Sequence, residues 1–278
     1  MNYYICVMSV HKEIKRINTN VILSMKNSGE KITMLTGYDF SMASILDQAG
    51  IDMILVGDSA ANVFAGYDTT LPITLDQMIY HGASVVRAVK RAMVIVDLPF
   101  GSYQGCPNKA LDSAIRIMKE TGANGIKLEG GVEIKEAIEK MVAAGIPVVG
   151  HLGLTPQSIN QFGGYGLRAN NDAEAHILKN NFQVLQEAGC FAIVLEKIPA
   201  KVAHELTNHS RIPTIGIGAG SHCDGQVLVI NDLLGLNENF KPKFLRQYLN
   251  LNAEIKGAVK QYISDVKDNS FPNENEQY

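Results

Sequence analysis

The chain has no tryptophan, only four cysteines and nine prolines, no apolar run long enough to cross a bilayer and no block of lysine or arginine. Each shortage excludes something. Cys6, Cys106, Cys190 and Cys223 are scattered and form no C-x-x-C pair, so a secreted disulfide framework is excluded and a reducing, cytoplasmic setting is expected. Twenty-five basic residues against 28 acidic ones leave a net charge of −3, which offers nothing to a nucleic-acid backbone or an anionic membrane surface. YYICVM near the N-terminus is too short for a membrane span and no small-residue cleavage site follows it. The HKEIKR that comes next carries a glutamate and little arginine, which argues against an organelle-import signal. No linker rich in proline, glycine or serine divides the chain and no fixed-period repeat is visible, so a single domain is expected.

What is present is an apolar share of 46 %, arranged in short runs between amphipathic stretches. TMLTGYD (33–39), DMILVGD (52–58), MVIVDLP (93–99), GIKLEGG (125–131), PVVGHLG (147–153), FAIVLEK (191–197), PTIGIGAG (213–220) and QVLVIND (226–232) read as strands. They are apolar on consecutive positions, as parallel strands covered on both faces are. Helical patterns fill the gaps at 41–50, 74–91, 108–122, 133–145, 172–189 and 200–210, several of them stopping on glycine. Eight strand–helix units in a chain of this length predict a (β/α)8 TIM-type barrel, which occupies ~250 residues, rather than an open doubly wound sheet. Residues 1–30 are expected to form an N-terminal extension with a helix capping the barrel bottom. Residues 31–267 would hold the barrel and C-terminal helices, and 268–278 a polar, flexible tail.

In such barrels chemistry gathers at the C-terminal ends of the strands. Those positions carry Asp58, Asp97, Glu129, His151 and Glu196 on five successive strands. Carboxylates converging on one mouth repel one another unless a cation sits among them or some are protonated. Oxygen-only ligands suit a hard divalent ion, so Asp58, Asp97 and Glu129 read as a Mg2+ cluster. Lys127 lies two positions from Glu129 and so on the same side of its strand, where it can add positive charge near a bound oxygen. Glu196 would serve as general base, provided that it is not itself a metal ligand and that partial desolvation raises its pKa. Plainer readings stand beside these: Asp58 and Asp97 as turn or cap formers, Glu129 as a solvated loop residue, His151 as a hydrogen-bonded core histidine.

The stretches LVGDS (55–59), DTTLPIT (68–74), DLPFGSY (97–103), KLEGG (127–131), GHLGLTPQSINQFGGYG (150–166), LE (195–196) and IGIGAGSHCDGQVLV (215–229) resemble the ketopantoate hydroxymethyltransferase family. The likeness runs from about residue 20 to 266, and the long ordered block from His151 to Gly166 makes it specific. It implies a (β/α)8 barrel that converts 3-methyl-2-oxobutanoate, with 5,10-methylenetetrahydrofolate and water, into 2-dehydropantoate at the opening of pantothenate synthesis. It further implies Mg2+ held by Asp58, Asp97 and Glu129, oxo-acid contacts from Asp58, Ser59, Asp97 and Lys127, and Glu196 as proton acceptor. His151 is placed beside the site without a fixed role. Family members form large homo-oligomers, commonly decamers. The chain departs from the pattern in AANVFAGYDTT after VGDS, where Tyr67 replaces a histidine, and in GSYQGCP after DLPF; both change the chamber wall rather than the ligands.

Alternatives of other classes remain open at this point. A Mg2+-dependent barrel of the phosphoenolpyruvate mutase and isocitrate lyase kind would handle oxo-acid enolates without folate. A non-catalytic metal-binding barrel would bind and not turn over. GIGAGSHCDG reads as a tight turn letting the backbone approach a ligand, with a phosphate loop as the other reading. Cys106 has no basic neighbour in sequence and reads as an ordinary thiol.

Overall fold

A computed structural model describes residues 15–238 and 240–278. The expected N-terminal segment therefore lies outside the described residues up to residue 14. Eight parallel strands close into a barrel in chain order: β1 (Ile32–Thr36), β2 (Met53–Val56), β3 (Met93–Asp97), β4 (Gly125–Glu129), β5 (Val148–Gly153), β6 (Ala192–Glu196), β7 (Thr214–Ile217) and β8 (Gly225–Leu228), which returns to β1. The fold is a (β/α)8 barrel. Around and between the strands run α1 (Thr19–Ser28), α2 (Phe40–Gln48), α3 (Ala60–Val63), α4 (Leu75–Ala88), α5 (Pro107–Thr121), α6 (Lys135–Ala143), α7 (Ile159–Phe162), α8 (Asp172–Glu187), α9 (Ala200–His209), α10 (Ile230–Leu233) and α11 (Leu251–Lys267).

Period-2 alternation divides each strand between two cores. Met53, Leu55, Met93, Ile95, Val149 and Val194 belong to the inner cluster, whereas Ile54, Val56, Val94, Val96, Ile126 and Ile193 pack outward in the cluster shared with the helices. The consecutive apolar runs follow from this, since both faces of the barrel wall are dry. The inner series continues upward into chemistry. Two residues beyond Ile95 stands Asp97, beyond Val149 His151, and beyond Val194 Glu196.

The bottom of the barrel is closed by α1. Ile22 and Met25 bury among Ile32, Met34, Met53 and Met93, and Lys26 reaches Asp224 at 2.8 Å across the strand starts.

Several local expectations shift. The helix expected over 74–91 stops at Ala88, because the backbone N–H groups of Lys90, Arg91 and Ala92 donate to the Asp47 carboxylate and draw the chain into extended form. The run at 226–232 divides into β8 and α10, and within 240–267 only α11 is helical. The polar end holds a short 3-10 turn, Glu274–Glu276, capped by Asn273. No helix among the described residues is long and apolar enough to cross a membrane.

Candidate active site

Strand register brings the singled-out residues to one end. Asp97 pairs in register with Lys127, and Glu129 with His151. Asp58 follows β2, and its backbone N–H donates to Asp97 Oδ2 at 3.1 Å. The Lys127 ammonium stands 3.0 Å from Asp97 Oδ1. His151 Nδ1 is 3.2 Å from Glu129 Oε1, and Nε2 is 3.3 Å from Glu196 Oε2. Asp58, Asp97, Lys127, Glu129 and His151 are all buried, while the Glu196 side chain is 19 % exposed and marks the mouth. Ser59 stands beside them, its hydroxyl 2.9 Å from that of buried Tyr38.

One glycine is required here. Gly153 closes β5 at φ +95, and a Cβ there would collide with the Glu196 carbonyl. That same carbonyl accepts the Leu154 N–H at 2.8 Å, so the backbone under Glu196 is fixed by close approach of the two strand ends.

Two residues escaped the sequence reading. Gln157, on the turn after β5, donates its side-chain amide to Asp58 Oδ2 at 2.8 Å and to the Leu98 carbonyl at 3.0 Å, and its backbone N–H to Glu129 Oε2 at 3.0 Å. The Tyr103 hydroxyl accepts from the Glu129 N–H at 3.0 Å and donates to Gln157 Oε1 at 2.7 Å. Both lie in stretches that carried the family resemblance, GLTPQ and DLPFGSY, and that is the signal that could have found them.

Protonation within the cluster is uneven. Burial, reinforced by the Asp97 and Glu129 charges, pushes the Asp58 carboxyl up to about 8. Burial also raises Asp97, although Lys127 opposes it. For Glu129 burial acts in the same sense but is outweighed by the hydrogen bond and charge of His151 and by Lys127, which leave it below the ordinary carboxylate range. Burial and the neighbouring Lys127 would depress His151, yet its bonds to Glu129 and Glu196 lift it to about 9. Burial likewise would lower the Lys127 ammonium, and the carboxylates around it hold it above its usual value instead. Lys127 and His151, 3.2 Å apart at Nζ and Nδ1, thus stand together against the acids.

Whether the residues suit a metal ion divides along the same line. Asp97 Oδ1 is buried and accepts no hydrogen bond, its contact with Lys127 being ionic but poorly aligned. Together with Asp58 it forms a pair of hard oxygen donors, which fits a small divalent cation. Glu129 is engaged by His151 and Gln157. Accordingly, no three His, Cys, Asp or Glu side chains among the described residues stand as a ready ligand set. Of the three expected carboxylates, Asp58 and Asp97 stand closest to a donor pair, while Glu129 is held by His151 and Gln157.

Two glycines of the β7–β8 loop make room for other parts of the chain. Gly218 lets Phe244 approach, and Gly220 lets Ala200 approach.

Residues 16–274 match the family model described as ketopantoate hydroxymethyltransferase. The chain is 62 % identical over 267 residues to the 3-methyl-2-oxobutanoate hydroxymethyltransferase of Flavobacterium johnsoniae, covering 96 % of this chain and 98 % of the relative. It is 61 % identical over 273 residues to that of Parabacteroides distasonis, covering 98 % and 100 %. Among solved structures it superposes on phosphoenolpyruvate phosphomutase from Streptomyces platensis subsp. rosaceus with TM-score 0.60 at 13 % identity, over 91 % of this chain and 88 % of that one. A 2,3-dimethylmalate lyase of the PEP mutase/isocitrate lyase superfamily gives TM-score 0.58 at 14 % identity, over 92 % and 89 %. At those identities the structural likeness speaks for the barrel alone.

Proposed function

The chain belongs to the ketopantoate hydroxymethyltransferase family, and from that premise we propose that it transfers a hydroxymethyl group from 5,10-methylenetetrahydrofolate to 3-methyl-2-oxobutanoate, giving 2-dehydropantoate for pantothenate biosynthesis. The observation that carries the reading is the junction of an acid–base carboxylate at the mouth, Glu196, with a buried cationic and anionic floor, Lys127, Asp97 and Asp58.

The reaction needs a proton removed from carbon 3 of the oxo acid and the resulting enolate charge stabilised on the keto oxygen. Glu196 takes that proton. His151 stands between Glu196 and Glu129 and holds the base carboxylate in orientation. Lys127 presents its ammonium toward the developing negative charge, with Asp97 keeping it in place. Ser59 offers a hydroxyl to the substrate carboxylate. Gln157 and Tyr103 fix the spacing of Asp58 and Glu129. Asp58 and Asp97 would hold Mg2+, with Glu129 the third carboxylate of that set. When bound, the ion supplies a concentrated positive charge that polarises the keto group. The nucleophilic carbon then bonds to the donor's methylene, whose two carbon–nitrogen bonds break; water supplies the hydroxyl oxygen, and the carbon-3 proton and one proton of water end on the two nitrogens of the departing tetrahydrofolate.

The proposal treats 31–267 as one catalytic unit, flanked by segments 1–30 and 268–278. It places the protein in the cytoplasm, consistent with free Cys106, Cys190 and Cys223. It makes the partner a further copy of the same chain in a homo-oligomer, up to a decamer, which the uncovered apolar stripe of α11 supports.

The test is Glu196→Gln. Deuterium uptake at carbon 3 of 3-methyl-2-oxobutanoate, followed by NMR without folate, should fall by about 10²-fold or more, in line with the usual worth of a positioned base. Exchange at the unmodified rate would remove Glu196 from the role. Turnover of the oxo acid that ignores omission of methylenetetrahydrofolate would remove the donor.

A further inference from the structure

Ser59 can give its hydroxyl hydrogen to a carboxylate only if that hydrogen is not spent inside the protein. The hydrogen-bond neighbour of the Ser59 hydroxyl among the described residues is the Tyr38 hydroxyl at 2.9 Å, and either oxygen is able to donate. Which one does so decides whether Ser59 meets the oxo acid with a hydrogen, since a carboxylate only accepts. The serine oxygen already faces the acids. A Cβ on Gly57 would lie 2.7 Å from Ser59 Oγ and 3.7 Å from Asp97 Oδ2, so the bare glycine leaves the hydroxyl turned back over its own loop toward that carboxylate.

The direction of the bond is set further back in the fold. Tyr38 is buried between the end of β1 and the start of α2. Its carbonyl accepts from His81 Nδ1 at 2.7 Å, and the next residue, Asp39, caps α2 by accepting the Met42 N–H at 2.9 Å, so the ring stands on a fixed mount. The other hydroxyl beside the phenol is that of buried Thr36. Thr36 Oγ1 accepts the Ile230 N–H, at the start of α10, at 2.9 Å. A backbone N–H only donates. If Ser59 donated to Tyr38 and Tyr38 to Thr36, Thr36 would accept twice and its own buried hydrogen would find no acceptor, an arrangement folded proteins avoid. In the opposite sense each hydroxyl accepts once and donates once: Ile230 to Thr36, Thr36 to Tyr38, Tyr38 to Ser59. The Ser59 hydrogen is then left free, and the chain of bonds behind it strengthens it as a donor.

We propose that Tyr38 is a positioning residue for the oxo acid: its hydroxyl, oriented by Thr36 and the Ile230 N–H, donates to Ser59 and so turns the Ser59 hydrogen toward the substrate carboxylate. This rests on the transferase reading above, in which Ser59 meets that carboxylate, and adds what aims it.

The experiment uses the full chain with Mg2+ and follows deuterium uptake at carbon 3 of 3-methyl-2-oxobutanoate as its concentration is varied. Tyr38→Phe keeps the buried ring and deletes the donor; Ser59→Ala deletes the last hydroxyl. A contact made equally before and during proton removal acts on the half-saturating concentration and spares the rate at saturation. That concentration should rise at least about tenfold in Ser59→Ala and at least about threefold in Tyr38→Phe, with saturated rates within about twofold of the parent. The double variant should match Ser59→Ala alone, because the two residues act through one bond. An unchanged half-saturating concentration in Tyr38→Phe overturns the proposal, whatever happens to the melting temperature, since the phenol would then serve stability only. A rise that multiplies with that of Ser59→Ala overturns it too, because Tyr38 would act by a route that bypasses Ser59. Both outcomes leave the transferase reading standing. A parent that exchanges no proton on the oxo acid overturns that reading, and the role of Tyr38 falls with it.

Discussion

Asp58, Asp97 and Glu129 share one buried corner, yet burial raises the first two while His151 drags the third down. The difference lies in who stands opposite: Glu129 faces an imidazolium, whereas Asp58 faces the neutral Gln157 amide. A pH dependence follows. His151 binds its proton more tightly folded than unfolded, so its contribution to stability is complete below about 6.5 and is lost as pH rises through about 9. Asp58 is raised as well, so the stability its proton lends is lost from about pH 3.8 to about 8, and only the last part of that loss falls above pH 7. With divalent ions chelated, the melting temperature should fall by several degrees between pH 7 and 9.5, and added Mg2+ should recover more of it at the alkaline end. A melting temperature that holds or climbs over that interval would show that the folded state does not hold these protons. The gathering of Asp58, Asp97, Glu129, His151 and Glu196 was legible because each closes an apolar run, and that of Lys127 because it stands two positions before Glu129 on the same side of β4. Gln157 was not legible, since its meaning lies in a bond to a residue 99 positions away that no local pattern encodes.

At the scale of elements, the strands were legible because a barrel wall dry on both faces must be apolar at consecutive positions. Helix ends were less so. The end of α4 is decided by Asp47, some forty residues earlier in the chain, whose carboxylate collects three backbone N–H groups. The short helices α3, α7 and α10 sit in loops above the mouth, where no amphipathic period is long enough to register. The cap at the opposite end carries its own prediction. Ile22 is fully buried against the inner cluster, so Ile22→Ala should cost about 2–5 kcal/mol. At about 2–4 °C per kcal/mol for a chain of this size, the melting temperature drops visibly. Because α1 and Glu196 occupy opposite ends of the barrel, proton exchange on the oxo acid at 20 °C should stay within about twofold of the parent. A stability change under about 0.5 kcal/mol would mean that α1 does not close the barrel in solution.

The whole molecule ends in an element its own barrel does not use. In α11 no residue is buried, although Ile255, Val259, Tyr262, Ile263 and Val266 recur at helical spacing along one side. Its first two turns are tied down, with the Leu251 N–H donating to the Leu234 carbonyl and Lys256 pairing with Glu238, and Tyr262 packs edge-on against Phe271 beyond it. A helix of 17 residues is marginal in water without packing, and most helical stability comes from an apolar face that finds a partner. The homo-oligomer proposed above supplies that partner from a further copy of the chain. Replacing Val259 and Ile263, about half exposed in the single chain, together with aspartate sets like charges on the stripe. Sedimentation velocity should then show a smaller assembly than the parent, with the barrel still folding and the far-ultraviolet spectrum losing at most the contribution of α11. Parent and variant sedimenting alike as the same large assembly would place the intersubunit contact elsewhere. A parent that sediments as a single chain would show that the stripe of α11 stays exposed to water.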